Sequence, residues 1–125
     1  MKKIYYLKTC DTCKRILKQI QAVVSEDEYQ SFLFQEIKTE PITVSQLDEM
    51  YALTNSYEAL FSKRAKKYKQ MDLKNQVLTE ADYRQLILDE YTFLKRPVII
   101  LGNEIFVGNA KKNVDLLLNK LSSKK

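Results

Sequence analysis

The apolar pattern of the first part of the chain predicts a strand, a helix and a second strand. Short apolar runs over about 3–7 and over 32–37 predict the two strands. Between them, apolar residues recur at the spacing of one helix face, which predicts a helix over about 13–24. This order indicates a βαβ unit with parallel strands and a right-handed crossover.

The middle of the chain, about residues 40–95, has helical patterning. Thr43 followed by Gln46 fits a capping box, residues 55–71 predict one or two short helices, and Thr79 has the character of another N-cap. This block is far longer than an ordinary crossover connection. We therefore expect a helical insertion between the two halves of the fold.

The last part of the chain returns to strands. Val98–Leu101 is a strongly β-forming run of the kind that is buried on both faces, and a turn leads from it into a short strand over 105–107. A final helix is expected from Asn109 or Ala110. The order βαβ, helical block, ββα predicts an α/β chain with a thioredoxin-like fold. We expect a mixed four-stranded sheet in a single domain over 1–125, with the insertion at about 40–95.

The most distinctive stretch is Cys10-Asp11-Thr12-Cys13, where the first strand gives way to a helix predicted to begin near Thr12 or Cys13. A helix N-terminus favours negative charge, and a thiolate carries one. The pKa of the first thiol should therefore fall below its free value of about 8.5. Two intervening residues allow the second thiol to close a disulfide with the first. These features indicate a redox site.

Other interpretations of this pair stay open at this point. A structural zinc site normally needs four nitrogen or sulfur ligands, and the chain has two cysteines and no histidine, so we expect no metal site. A simple structural disulfide, or two inert buried thiols, fits the same residues.

Composition narrows the cellular setting. Apolar residues make up 45% of the 125 residues, which is typical of a globular domain. No run approaches the roughly 20 apolar residues that span a bilayer, and the N-terminus lacks the apolar core of about 7–15 residues of a secretory signal. We therefore expect a cytoplasmic protein with no membrane association. A lasting structural disulfide is rare in that compartment.

The net charge of +5 is concentrated in the second half, most densely over residues 63–69. Such a cluster attracts nucleic acid, an acidic protein or an anionic substrate, although charge runs are commonly just solvated faces. Tyr68 is the one aromatic residue within it, which is weak support for base stacking. We expect no direct binding of nucleic acid.

Taken together, these segments resemble the arsenate reductase (ArsC)/Spx family of the thioredoxin superfamily. The resemblance runs over about residues 3–121. The matching pieces are Tyr5–Arg15, Glu36–Lys38, Pro41–Thr43, Leu60–Arg64, Leu94–Ile100 and Val107-Gly108.

The resemblance implies roles for the two thiols. Cys10 would be the nucleophile. Cys13 stands where glutathione-coupled arsenate reductases have serine and Spx-like members have cysteine, so it would be the resolving thiol. The chemistry would be thiol–disulfide exchange or oxyanion reduction without a resident cofactor. Glutathione with glutaredoxin, or thioredoxin, would supply the electrons.

The resemblance also implies an oxyanion site made by Arg64, Arg96 and Thr12, with Pro97 as the active-site proline, expected to be cis. Either arginine would lower the pKa of the nucleophilic thiol and hold an oxyanion by bidentate hydrogen bonds. Without the resemblance, ordinary surface or inter-helix salt bridges would be the better explanation of Arg64 and Arg96.

One position departs from the glutathione-coupled enzymes. They carry a third arginine where this chain has Gly108, and losing a charge-assisted contact weakens anion binding by roughly 1–3 kcal/mol. The alternative function is an Spx-like redox-sensing regulator that binds RNA polymerase. Spx-type proteins have glycine in the contact loop where this chain has Ser56. A structural domain with a vestigial dithiol is the third possibility.

Overall fold

The computed structural model describes residues 2–123, which form six helices and four strands within that range. The strands are β1 (Lys2–Tyr6), β2 (Leu33–Glu36), β3 (Val98–Leu101) and β4 (Glu104–Val107). The helices are α1 (Asp11–Val23), α2 (Glu26–Gln30), α3 (Val44–Thr54), α4 (Lys66–Gln70), α5 (Glu80–Asp89) and α6 (Lys111–Ser122). Short 3₁₀ turns occupy Glu58–Leu60, Leu73–Asn75 and Tyr91–Phe93.

The chain divides into two compact units. The first, called here the sheet unit, comprises Met1–Glu40 and Arg96–Lys125, and the second, the helical unit, comprises Pro41–Lys95.

The sheet unit holds a mixed four-stranded sheet in the order β2-β1-β3-β4. The pair β1–β2 is parallel, whereas β1–β3 and β3–β4 are antiparallel. Ile4 in β1 lies opposite Phe34 on one side and Ile99 on the other. This arrangement confirms the α/β class and the mixed four-stranded sheet that the element order predicts.

Helices α1 and α6 pack together and supply the core that covers one face of the sheet. Their buried residues recur at helical spacing and are Cys13, Ile16, Ile20, Val114, Leu117 and Leu121. The aliphatic residues among them meet strand residues such as Ile4 and Ile99. All four residues of β3 are buried, as its strongly β-forming run predicts.

The structure differs from the sequence prediction at two places in this unit. Helix α1 begins at Asp11 rather than near Thr12 or Cys13, because Cys10 is the extended N-cap residue and its carbonyl accepts the Lys14 N–H at 3.1 Å. No element was predicted for the polar segment after α1. It forms α2 instead, because the Ser25 hydroxyl caps the Glu28 N–H at 3.1 Å.

The helical unit contains both predicted helix starts. Thr43 and Gln46 form a reciprocal capping box at α3, and Thr79 forms another with Asp82 at α5. The segment 55–71 holds a 3₁₀ turn and α4, in agreement with one or two short helices. Over residues 2–123, no helix is long and apolar enough to cross a membrane.

Candidate active site

Cys10 lies at the junction between β1 and α1. Its backbone is extended and its N–H donates to the Leu7 carbonyl at 3.1 Å, which closes a tight turn through Lys8 and Thr9. The Cys10 side chain is partly exposed at the first turn of α1. The position gives a thiolate access both to solvent and to the unpaired N–H groups of the helix start.

The pKa of Cys10 is lowered from its ordinary value. Partial burial acts against the thiolate, but hydrogen bonds from the Cys13 N–H, the Cys13 thiol and the Thr12 N–H outweigh it, and the charge of Arg96 adds to them. This is the direction expected for a thiol at a helix N-terminus. At neutral pH Cys10 is therefore the more reactive of the two thiols.

The pKa of Cys13 moves in the opposite direction, to about 11. Burial is the largest cause, and the negative charge of Cys10 together with their mutual hydrogen bond adds to it. A hydrogen bond with the Leu7 backbone and the charge of Arg96 oppose the rise. The Cys13 side chain is fully buried. The two sulfurs are therefore chemically distinct, with an outer thiolate and an inner protonated thiol.

Arg96 and Pro97 precede β3 on the same unit. The peptide bond between them is cis, as the resemblance implies. The Arg96 side chain is half-buried, and its charge acts on both thiols. The Pro97 carbonyl accepts the Gly108 N–H at 2.8 Å, so the segment around the cis bond is tied to the turn that follows β4.

The remaining predicted site residues differ in their placement. Thr12 lies in the first turn of α1, where its backbone N–H, rather than its side chain, acts on the Cys10 thiolate. Arg64 belongs to the helical unit, where it is exposed just before α4. Its part in an oxyanion site stays a prediction.

Glu36 is a residue of this region that was not predicted to have a role in the site. Its carboxylate accepts the Lys8 N–H at 2.9 Å, in the turn that leads to Cys10. It also accepts the Lys38 N–H at 3.1 Å and the Thr39 N–H at 2.8 Å. The Lys8 N–H has the largest effect and, together with the other donors, lowers the pKa of Glu36 against the opposing effect of burial.

Metal binding is an alternative role for a pair of cysteines at this spacing. Across residues 2–123 there is no group of three or more histidine, cysteine, aspartate or glutamate side chains arranged to hold a metal ion.

Comparison with known proteins places this arrangement in a family. The profile of the ArsC family matches residues 5–116. A Staphylococcus aureus protein of known structure is 28% identical, with a TM-score of 0.70 over 93% of this chain and 97% of that one. An arsenate reductase (ArsC) related protein from Brucella melitensis is 24% identical, with a TM-score of 0.66 over 92% of each chain.

An arsenate reductase from Vibrio cholerae shares the fold at 14% identity, with a TM-score of 0.71 over 93% of this chain and 94% of that one. No curated protein matches the chain. The shared fold confirms the thioredoxin-like architecture, and the family profile confirms the resemblance found in the sequence.

Proposed function

The chain belongs to the ArsC family, and on that premise we propose that it is a thiol-dependent oxidoreductase in which Cys10 is the nucleophile and Cys13 the resolving thiol. The observation that supports this most directly is the opposite shift of the two pKa values, down for Cys10 and up to about 11 for Cys13. Two inert buried thiols would both be raised by burial. A pair divided in this way is suited to stepwise exchange.

The first step is attack by the Cys10 thiolate on one sulfur of a substrate disulfide. The substrate sulfur–sulfur bond breaks, a mixed disulfide forms on Cys10, and the other substrate sulfur leaves as a thiolate. That thiolate takes up the proton that Cys13 gives up. Cys13 then attacks the Cys10 sulfur, so that a Cys10–Cys13 disulfide forms and the second substrate sulfur leaves as a thiolate, which takes up a proton from solvent. Two electrons pass from the pair to the substrate.

The geometry favours this order of events. The negative charge of Cys10 and its hydrogen bond both raise the pKa of Cys13. Both effects end once the Cys10 sulfur is bonded to substrate, because the sulfur then carries no charge. Cys13 is thus protonated while Cys10 is a free thiolate. After the first step, Cys13 loses its proton more easily.

An oxyanion is the second class of substrate. With arsenate, the Cys10 thiolate would displace one oxygen as water, and attack by Cys13 on the Cys10 sulfur would release arsenite. The arsenic gains the two electrons that the thiols lose. Arg96, Arg64 and the Thr12 N–H are the groups proposed to bind the anion. Because Gly108 stands in place of a third arginine, a disulfide is the better-supported substrate.

The cycle requires an external reductant and no resident cofactor. Glutathione with glutaredoxin, or thioredoxin, would reduce the Cys10–Cys13 disulfide by the same exchange chemistry. Such donors operate in the cytoplasm, which is a reducing compartment. We propose that the protein acts there.

The decisive experiment is turnover by the purified protein with arsenate and with a small mixed disulfide. Each is tested with glutathione plus glutaredoxin and separately with thioredoxin. Cys10→Ser should abolish turnover and Arg96→Ala should reduce it, because the first removes the nucleophile and the second removes a cation next to it. Arg15→Ala is the matched control, since Arg15 is exposed on α1 and should leave turnover unchanged.

The results separate the candidate substrates. Turnover of the disulfide without arsenate reduction supports a thiol oxidoreductase and rejects arsenate. No turnover of either substrate, in a protein whose dithiol oxidises and reduces reversibly, rejects the enzyme altogether.

A redox-sensing regulator that binds RNA polymerase is the second candidate. The exposed basic cluster of residues 63–69 favours it, because within the described chain only Lys63 of that cluster forms an ion pair, with Glu58 at 3.2 Å. Ser56 is half-buried, and its hydroxyl accepts the Ala59 N–H at 3.1 Å. The residue of left-handed conformation in this loop is Asn55. A contact surface that needs glycine at residue 56 is therefore altered here.

Co-purification with RNA polymerase tests this candidate. Oxidised and reduced protein would be compared, with Ser56→Gly as the variant expected to strengthen binding and Lys66→Glu as the variant expected to weaken it. Binding that depends on oxidation of Cys10 supports the regulator. Equal retention of the oxidised, reduced and Lys66→Glu proteins contradicts it.

A further inference from the structure

We propose that Glu36 is a positioning residue for the nucleophile. Its carboxylate fixes the Leu7–Lys8 peptide unit, which in turn anchors Cys10. This inference rests on the proposed role of Cys10. Glu36 is the last residue of β2, lies opposite Tyr6 at the end of β1, and is half-buried.

The two carboxylate oxygens of Glu36 are bound to different loops. Oε2 accepts the Lys8 N–H at 2.9 Å. Oε1 accepts the Lys38 N–H at 3.1 Å, the Thr39 N–H at 2.8 Å and the Thr39 hydroxyl at 3.0 Å. Among the ion pairs of residues 2–123, none involves Glu36. The side chain therefore acts as an acceptor for backbone donors, and it joins the turn before Cys10 to the turn after β2.

The Lys8 contact fixes the Leu7–Lys8 peptide unit. The N–H of this unit is the group that donates to Glu36, and its C=O is the group that accepts the Cys10 N–H at 3.1 Å. The backbone of Leu7 also hydrogen-bonds with the Cys13 side chain. Rotation of the Leu7–Lys8 peptide plane would disturb the backbone of Cys10, and the Glu36 carboxylate opposes that rotation.

The consequence reaches the Cys10 sulfur through geometry. The thiolate depends on the Thr12 N–H, the Cys13 N–H and the Cys13 thiol, and hydrogen bonds weaken steeply when their angle or length changes. A displaced N-cap residue would move the sulfur away from these donors. Loss of the Glu36 contact should therefore make Cys10 less acidic without any change in the groups that touch its sulfur.

Glu36→Gln is the most informative variant because it should break the contact with one loop and keep the contacts with the other. A glutamine side chain has one carbonyl oxygen and one NH₂ group. Three donors converge on the Oε1 position and one on Oε2, so the carbonyl should take the Oε1 position. The NH₂ group then faces the Lys8 N–H, donor against donor. The turn after β2 keeps its acceptor while the turn before Cys10 loses it.

The measurement is the rate of alkylation of Cys10 as a function of pH, followed by mass spectrometry on folded protein. Glu36→Gln should move the midpoint upward by about half a pH unit, which lowers the alkylation rate at neutral pH about threefold. Glu36→Asp keeps the charge but is one methylene shorter, so it should give a smaller shift in the same direction. It also serves as the test if Glu36→Gln does not fold.

Glu80→Gln is the matched control. The Glu80 carboxylate also accepts two backbone N–H groups, those of Tyr57 at 2.7 Å and Glu58 at 3.1 Å, within the helical unit. It should lower the melting temperature and leave the Cys10 profile unchanged. Thr39→Val removes one donor from Oε1 and spares the Lys8 contact, so it too should leave the profile unchanged.

A wild-type profile in folded Glu36→Gln and Glu36→Asp overturns the positioning role and leaves Glu36 as a structural cap. An equal shift in Thr39→Val overturns the specific role of the Lys8 contact. The proposed function has a separate readout, because a wild-type protein with an acidic Cys10 and no turnover rejects the oxidoreductase, while the alkylation profiles still decide the role of Glu36.

Discussion

The thiols of Cys10 and Cys13 hydrogen-bond to each other at the first turn of α1. Burial is the largest cause that raises the pKa of Cys13, and this contact adds to that rise while it helps to lower the pKa of Cys10. The inner thiol donates to the outer thiolate, which stabilises the charge on Cys10. The same charge disfavours a second one on Cys13. Two cysteines of identical intrinsic chemistry thereby acquire different roles from a difference in burial and from their order along the helix.

This relationship predicts that Cys13→Ser will trap the first step of exchange. A serine hydroxyl can still donate to the Cys10 thiolate, so nucleophilic attack should proceed, but no resolving thiol remains. We expect a mixed disulfide between Cys10 and the substrate thiol to accumulate, with less than a tenth of wild-type turnover. Intact-mass spectrometry after mixing with a small disulfide measures it.

Cys10→Ser is the control for that experiment. It should form no adduct at neutral pH, because the only remaining thiol is fully buried, and burial is the largest cause that raises its pKa. Rapid adduct formation on Cys13 in this variant would contradict the assigned roles.

Arg96 should affect anion binding more than it affects thiol acidity. Its charge affects the pKa of Cys10 less than burial and each of the three hydrogen bonds do. Arg96→Ala should therefore raise the alkylation midpoint only slightly. If an oxyanion is a substrate, the same variant should raise its KM about tenfold, because a charge-assisted hydrogen bond is worth roughly 1.5–3 kcal/mol.

Steady-state kinetics with Arg96→Ala, Arg96→Lys and the exposed Arg15→Ala measures that effect. Arg96→Lys keeps the charge but loses the bidentate geometry, so it should fall between the wild type and Arg96→Ala. An Arg96→Ala protein with an unchanged KM and a strongly raised alkylation midpoint would show that Arg96 acts on thiol acidity rather than on anion binding.

Much of the fold could be predicted because its signals are local. The run at β3, the capping boxes at Thr43 and Thr79, and the cysteine pair at a strand–helix junction each occupy a few adjacent residues. Helix α2 was missed because its five residues have no apolar periodicity. The signal available for it was Ser25 followed by an acidic first turn, which is an N-cap pattern.

The contact between Glu36 and Lys8 could not be predicted from the sequence. The two residues are 28 positions apart, and the bond uses a backbone N–H, which every residue other than proline carries. Only the parallel register of β1 and β2 brings the end of one strand next to the turn after the other. Glu36 was part of the family resemblance, but nothing in its residue type distinguishes a loop cap from a solvated surface charge.

The free energy of unfolding should fall at alkaline pH because Cys13 is buried. Its folded-state pKa of about 11 lies above its ordinary value near 9, so between about pH 9 and 11 the unfolded chain loses this proton while the folded chain retains it. Stability therefore falls as pH rises through that window. The difference between these two pKa values corresponds to at most about 2.7 kcal/mol of stability. Because the fold relaxes in part when Cys13 ionises, we expect a loss of about 1–2 kcal/mol.

Denaturant unfolding of the wild type and Cys13→Ala at pH 7.5 and 10.5 isolates this effect. Several tyrosines also have raised pKa values, among them Tyr83 and Tyr29, and they weaken both proteins equally at high pH. Cys10 contributes with the opposite sign, because its pKa is lowered. The loss of stability between the two pH values should be smaller in Cys13→Ala, and an equal loss would show that Cys13 ionises freely in the fold.

The two glycines of the sheet unit should respond differently to substitution. Gly102 has φ of 60° with nothing within 4 Å of an added Cβ, whereas Gly108 is buried with φ of 83°. Asparagine adopts the left-handed region near 60° readily, so Gly102→Asn should cost less than about 0.5 kcal/mol. Gly108→Asn should cost about 1–3 kcal/mol, because its φ lies outside that region. Denaturant unfolding compares the two.

The same strain determines what happens when the missing cation is added. Gly108→Arg would place an arginine where glutathione-coupled arsenate reductases have one, but the Gly108 N–H and C=O are bound to Pro97 at 2.8 Å and to the Asn113 amide at 3.1 Å. These bonds hold the backbone of Gly108 at a positive φ of 83°, which arginine disfavours. We expect the melting temperature to fall by about 3–10 °C with no gain in arsenate turnover. A Gly108→Arg protein as stable as the wild type, with faster arsenate reduction, would instead show that the lost charge alone separates this chain from those enzymes.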